Sequence, residues 1–230
     1  MTQFSQKLLT LMTVAVLGAA TVPVVAHASS AETQGAISFI DDDGATAPVD
    51  PVNPGTPLPD TDPNNPATGN TGTLTLDVAP KTFNFGTVAA SNAAKDYVAT
   101  GSQNQYLQIS DKRTDTDGWQ VNVKQDRTLT DTNTNYVLTG ATIHLPQGTA
   151  RNSLNAPTSS PDPNLVVAPS VAITNVDQPV VTAQTVKTGK AVSTLTWNAG
   201  AVKLSVPKLT AKKGSYTNNV VWTLVAHATQ

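Results

Sequence analysis

Val220-Val221-Trp222-Thr223-Leu224-Val225-Ala226 carries the alternation that decides the fold. Successive side chains on an extended chain point to opposite faces, so Val220, Trp222, Leu224 and Ala226 share one face and Val221, Thr223 and Val225 the other. An earlier stretch, Gly118-Trp119-Gln120-Val121-Asn122-Val123, repeats the arrangement. There Trp119, Val121 and Val123 face one way, against Gln120, Asn122 and Lys124. Both tryptophans belong to the apolar faces of strands.

Outward from these two runs, everything after Thr73 consists of short alternating segments punctuated by Gly, Pro, Asn and Asp. Leu74, Leu76 and Val78 form one apolar face, Phe83 and Phe85 the next. Further strands are expected at Tyr97 to Thr100, Tyr106 to Ser110, Trp119 to Lys124, Tyr136 to Leu145, Leu165 to Ile173, Val180 to Val186, Leu195 to Asn198, Val202 to Val206 and Val220 to Ala228. No window sustains a helical period, although the alanines between Val88 and Asp96 could support a helix. Many short strands rich in Thr and Val pack most readily as two sheets face to face. The expected fold is therefore all-β, an antiparallel β-sandwich of the Ig-like or Greek-key type, over residues 72–230. Pro146 to Asn164 reads as a long loop, a mobile excursion or a binding loop.

Two segments precede that domain. Lys7, an apolar stretch from Leu8 to about Ala20 and then Ala26-His27-Ala28 have the layout of a secretory signal, giving a signal peptide at 1–28 cut after Ala28. The alternative, a membrane anchor, needs about 20 apolar residues, and Thr13, Gly18, Thr21 and Pro23 interrupt this stretch. Residues 29–71 form a flexible acidic lead-in in which Pro48, Pro51, Pro54, Pro57, Pro59, Pro63 and Pro66 favour extended geometry over a core. Within it, Ala36-Ile37-Ser38-Phe39-Ile40 could add a strand to a sheet. No later run is apolar enough to span a bilayer, and there is no hydrophobic tail or Leu-Pro-x-Thr-Gly sorting signal. The mature chain is expected to be secreted, without a membrane span.

There is no cysteine, so a disulfide scaffold is excluded and stability must come from a packed core. The net charge of −2 hides an uneven distribution: acids dominate up to Asp77, and no acid follows Asp177. That last stretch carries Lys187, Lys190, Lys203, Lys208, Lys212 and Lys213. They are either ordinary solvated lysines or a patch for an anionic polymer, for which Lys203, Lys208, Lys212 and Lys213 are the candidates.

Catalytic groups are sparse. Outside the leader only His144 and His227 remain, and neither a His-Glu-x-x-His pattern nor a Gly-x-Ser-x-Gly elbow occurs. Asp115-Thr116-Asp117-Gly118 has the start of a calcium loop without its later bidentate Glu, and a turn into the Trp119 strand accounts for it equally. The chain is expected to be no enzyme and to use neither cofactor nor metal. Nucleic acid is a poor partner for a slightly acidic exported chain with no basic aromatic groove. A glycan suits the Asn, Gln and Thr of the polar strand faces better, while Trp119, Trp197 and Trp222 have a core role by default.

The order of these features resembles the WxL-domain surface proteins of low-GC Gram-positive bacteria. It comprises the leader, the Ile-Ser-Phe run, the Asp/Pro/Asn-rich lead-in, Gly72-Thr73-Leu74-Thr75-Leu76-Asp77, Phe83-Asn84-Phe85-Gly86, Gly118-Trp119, and Tyr216-Thr217 leading into Trp222-Thr223-Leu224. The second Trp-x-Leu matches the family motif outright, whereas the first reads Trp119-Gln120-Val121. The resemblance implies a domain attached non-covalently to the cell wall through peptidoglycan, in the company of other surface proteins. It points to Trp119, Val121, Trp222 and Leu224 as motif residues that contact the ligand or support the surface. The rival expectation is a protein–protein module that docks to an anchored surface partner through an exposed strand or the 146–164 loop. An enzyme acting on glycan ranks third, since its carboxylates would have to stand on opposed strands.

Overall fold

The computed structural model describes residues 30–59, 62–114, 118–184 and 188–227. The expected signal peptide, Asp115-Thr116-Asp117, Val186, Lys187 and Ala228 lie outside them. The chain divides into two units, Met1–Phe39 and Ile40–Gln230. In the first, residues 30–39 are exposed and form neither helix nor strand, so the Ile-Ser-Phe run takes no place in a ladder. Ile37 is 77% and Phe39 87% exposed.

The second unit is all-β and antiparallel, as expected. Its strands are β1 (Leu74–Val78), β2 (Lys95–Val98), β3 (Asn104–Asp111), β4 (Trp119–Gln125), β5 (Thr130–Asp131), β6 (Thr142–Pro146), β7 (Thr149–Asn152), β8 (Leu165–Val167), β9 (Ser170–Ile173), β10 (Gln178–Ala183), β11 (Ala191–Asn198), β12 (Lys203–Val206), β13 (Tyr216–Thr217) and β14 (Val220–Ala226). They assemble into sheets of order β1-β3-β11-β7, β14-β4-β10-β8 and β2-β12-β6-β9, with a small β13-β5 ribbon. Inner-face residues such as Leu107, Ile109, Trp119, Val121, Ile143, Leu145, Ile173 and Leu195 make one continuous core.

Several segments depart from the sequence expectation for physical reasons. Phe83 and Phe85 join no ladder: Asn84 instead accepts from Gly86 N (2.8 Å) and its carbonyl from Thr100 N (2.8 Å), leaving both rings packed on the core from a coil. No helix forms over 88–96, because Ala89, Ala90, Ala93 and Ala94 are all exposed and give a helix no apolar face to bury. The 146–164 stretch is not one loop. Its start is β7, paired with β11 from Ser193–Asn152 to Thr196–Thr149, and its remainder is tied back by Arg151 Nε donating to Ser159 O (2.9 Å).

The described residues of the lead-in have no core of their own and no regular secondary structure, yet from residue 47 they lie against the outer face of β1, β3 and β11. That face is polar: Thr75, Asp77, Gln108, Ser110 and Thr194 are all buried there. Gln108 Oε1 accepts from Val49 N (2.8 Å) and its Nε2 donates to Ala47 O (3.0 Å). Thr194 Oγ1 donates to Pro51 O (2.9 Å), and Asn65 Nδ2 donates to Asn104 O (3.0 Å). Buried polar groups without partners are costly, so the lead-in covers this face by completing its hydrogen bonds. Burial pushes the Asp77 carboxyl above the usual carboxylate range, against hydrogen bonds from Ser110, Thr75 and Gln108.

A groove beside the paired tryptophan strands

β4 and β14, the two tryptophan strands, are hydrogen-bonded neighbours. Trp222 lies opposite Val123, Leu224 opposite Val121 and Ala226 opposite Trp119. The shared phase read from sequence therefore becomes a single inward face. Trp119 and Val121 are fully buried on it, while Trp222 and Leu224 are partly buried against the core. The Trp119 indole N–H donates to Gly189 O (3.1 Å). Gly189 has φ +69° and an added Cβ would stand 2.6 Å from that indole nitrogen, so glycine is required there. Trp222 packs across to Trp197 of β11, with ring centroids 6.1 Å apart.

Trp222 also borders an open groove of about 1,020 Å³. Its lining includes the coil after β1, with Lys81, Phe83, Asn84 and Phe85, and the arch from Ala211 to Asn219, with Lys212 and Lys213, followed by Val220 and Trp222. Tyr97, Tyr216 and Asn133 add to the lining, which among the described residues includes three lysines and no carboxylate.

The arch is pinned from below. Asp131, 2% exposed, accepts from Thr134 N (2.7 Å), Asn133 N (2.9 Å), Thr134 Oγ1 (3.0 Å) and Ser215 N (2.8 Å). The N–H groups of Thr134 and then Asn133 hold its carboxyl below the usual range, more strongly than burial raises it. Gly214 fits because an added Cβ would collide with that carboxylate. Tyr136 and Tyr216 meet edge to face at 6.4 Å, Tyr136 Oη donates to Thr210 O (3.0 Å), and Lys212 Nζ sits 4.1 Å from the Tyr136 ring centroid.

Of the four lysines singled out from sequence, Lys212 and Lys213 line the groove. Lys203 and Lys208 do not: Lys203 is exposed on β12 opposite Val98 and His144, and Lys208 is exposed in the turn after β12. Lys81, which no local pattern marks, joins the pair through the path of its coil. His144 stands between Lys203 and Ala172 on neighbouring strands. Among the described residues no group of three or more His, Cys, Asp or Glu side chains could hold a metal ion, and no helix is long and apolar enough to cross a membrane.

No curated protein and no solved structure matches the chain. The family model for the WxL domain, described as a surface cell wall-binding domain, matches residues 26–227. With Trp222-Thr223-Leu224 seated on the strand that pairs with Trp119-Gln120-Val121, and with nearly the whole length matched, this chain belongs to the WxL family of surface cell wall-binding domains.

Proposed function

We propose that this WxL domain attaches directly to peptidoglycan, and that the groove beside β14 is where it does so. The observation that carries the reading is the composition of that groove, whose described lining sets aromatic side chains beside amides and three lysines, with no carboxylate. Trp119 and Val121 act as support, since neither reaches the surface. Trp222 both supports and contacts, being half-buried with its ring against Trp197 and at the groove margin. Lys212 and Lys213 draw in the anionic polymer, and Lys203 and Lys208 add to the field at longer range. The chain acts by binding and not by turnover, on the outside of the cell, after a leader ending at Ala28 is removed.

Co-sedimentation of the purified mature protein with protein-free wall, with and without teichoic acid and at low and high salt, tests this. Retention on stripped peptidoglycan with a salt-sensitive component is the expected result. Retention only in the presence of wall proteins would favour the second reading, a module docking to another surface protein. One observation supports that alternative: β14 is an edge strand whose Val221 and Val225 are 38% and 43% exposed.

A further inference from the structure

Among the described residues, β14 is bonded on one side only. Asn219 O accepts from Asp126 N, and His227 N donates to Gly118 O (3.2 Å). In an antiparallel pair the bonded positions alternate, so the odd residues from 219 to 227 bond to β4. The N–H and C=O groups of Val220, Trp222, Leu224 and Ala226 then point away from it, and β14 has no second neighbour in its sheet. Val220 and Trp222 are the two of these that border the groove. The groove is thus bordered by two residues of a strand edge whose main chain offers donors and acceptors. Such an edge recognises another extended peptide backbone, whereas a sugar ring presents no matching ladder. Charge narrows the choice: among the described residues Lys81, Lys212 and Lys213 line the groove and no carboxylate does.

From this edge and these charges we infer that the groove binds the peptide stems of peptidoglycan, short chains bearing free carboxylates, and not its glycan strands. The inference rests on the wall-binding reading above and specifies which part of the polymer is read. A stem lies extended beside Val220 and Trp222, pairs with their outward main-chain groups, and sets its carboxylates against the lysines. Phe83 and Phe85 supply apolar surface in the same lining.

The test uses three probes against the mature protein: intact protein-free wall, glycan strands freed of their stems by an amidase, and free stem peptides. Stem peptides are expected to compete for retention on intact wall and to slow hydrogen exchange at the Val220 and Trp222 amides, and stripped glycan strands to do neither. Val220→Pro removes one outward N–H at an edge position where proline is tolerated, leaving the β4 ladder intact, and is expected to weaken stem binding roughly 3- to 10-fold. Lys212→Ala with Lys213→Ala is expected to weaken it about 5-fold at low salt and far less at high salt. Stripped glycan strands that compete as well as intact wall, or a Val220→Pro variant that is folded and binds unchanged, would overturn the assignment. A protein that ignores intact protein-free wall altogether overturns the wall-binding reading itself, and this inference with it.

Discussion

At the scale of single residues, the two tryptophans do different work although their sequence settings are alike. Trp119 is sealed in the core with its N–H bonded to Gly189 O, so Trp119→Ala is expected to cost about 3–5 kcal/mol and to leave a domain that fails to fold at ordinary temperatures. Trp222 is half-buried, and Trp222→Ala should cost roughly 1–3 kcal/mol, keep its strand signature by circular dichroism and lose retention on the wall. Unfolding of both variants alike would remove the contact role of Trp222. Phase along the chain marks both residues as inward-facing. It does not distinguish their depth, because depth depends on whether a second strand closes the sheet, as β10 does beside Trp119 and no described strand does beside Trp222. Gly214→Ala would drive a methyl into the Asp131 carboxylate and displace the arch that carries Lys212 and Lys213. The expected signature is loss of the salt-sensitive part of wall retention together with a lower melting temperature, since the Ser215 N–H bond to Asp131 is disturbed.

Among elements, the strands with clean alternation were legible in sequence. β1, β4, β12 and β14 fall where their apolar positions put them, since a half-buried strand must show period two. The segments that misled are those stabilised by distant partners. The Phe83–Phe85 coil has strand-like alternation but satisfies its main chain through Asn84 and Thr100, and β7 hides in a proline- and asparagine-rich stretch because its ladder comes from β11. The groove shared this fate: Trp222, Lys212 and Lys213 could be nominated from local pattern, while Lys81 needed the path of the coil. The lead-in offers a direct check. Gln108→Ala would strand Val49 N, Ala47 O and part of the Asp77 carboxylate, costing about 1–3 kcal/mol. Limited proteolysis should then cut within 47–67 faster than in the wild type; unchanged cleavage would mean that the covering segment is held by other contacts.

Across the whole molecule, acid acts on two carboxylates in opposite senses. Asp131 has a folded pKa below its ordinary 3.8, so its contribution is present above that value and is lost as pH falls through the lower folded one. Asp77 has a raised folded pKa, so its contribution is fully present below 3.8 and is lost as pH rises through the folded value. Melting curves from pH 7 down to 2 should therefore show Asp131→Asn flattening the fall on the acid side. Asp77→Asn should gain on the wild type as pH rises from 3 to 7, and a constant offset between the two curves would contradict the assignment. The pairing of β4 with β14 has one last consequence, which concerns the order in which the chain becomes available. Trp222 and Val123 are partners across roughly a hundred residues of sequence, a separation of the kind that delays folding. A chain clipped before Val220 would leave β4 with an open flank and a groove without Val220 and Trp222. On the proposed site, a copy cut before Val220 is expected to lose its hold on the wall, which comparing the wall-bound and released fractions of such a variant checks.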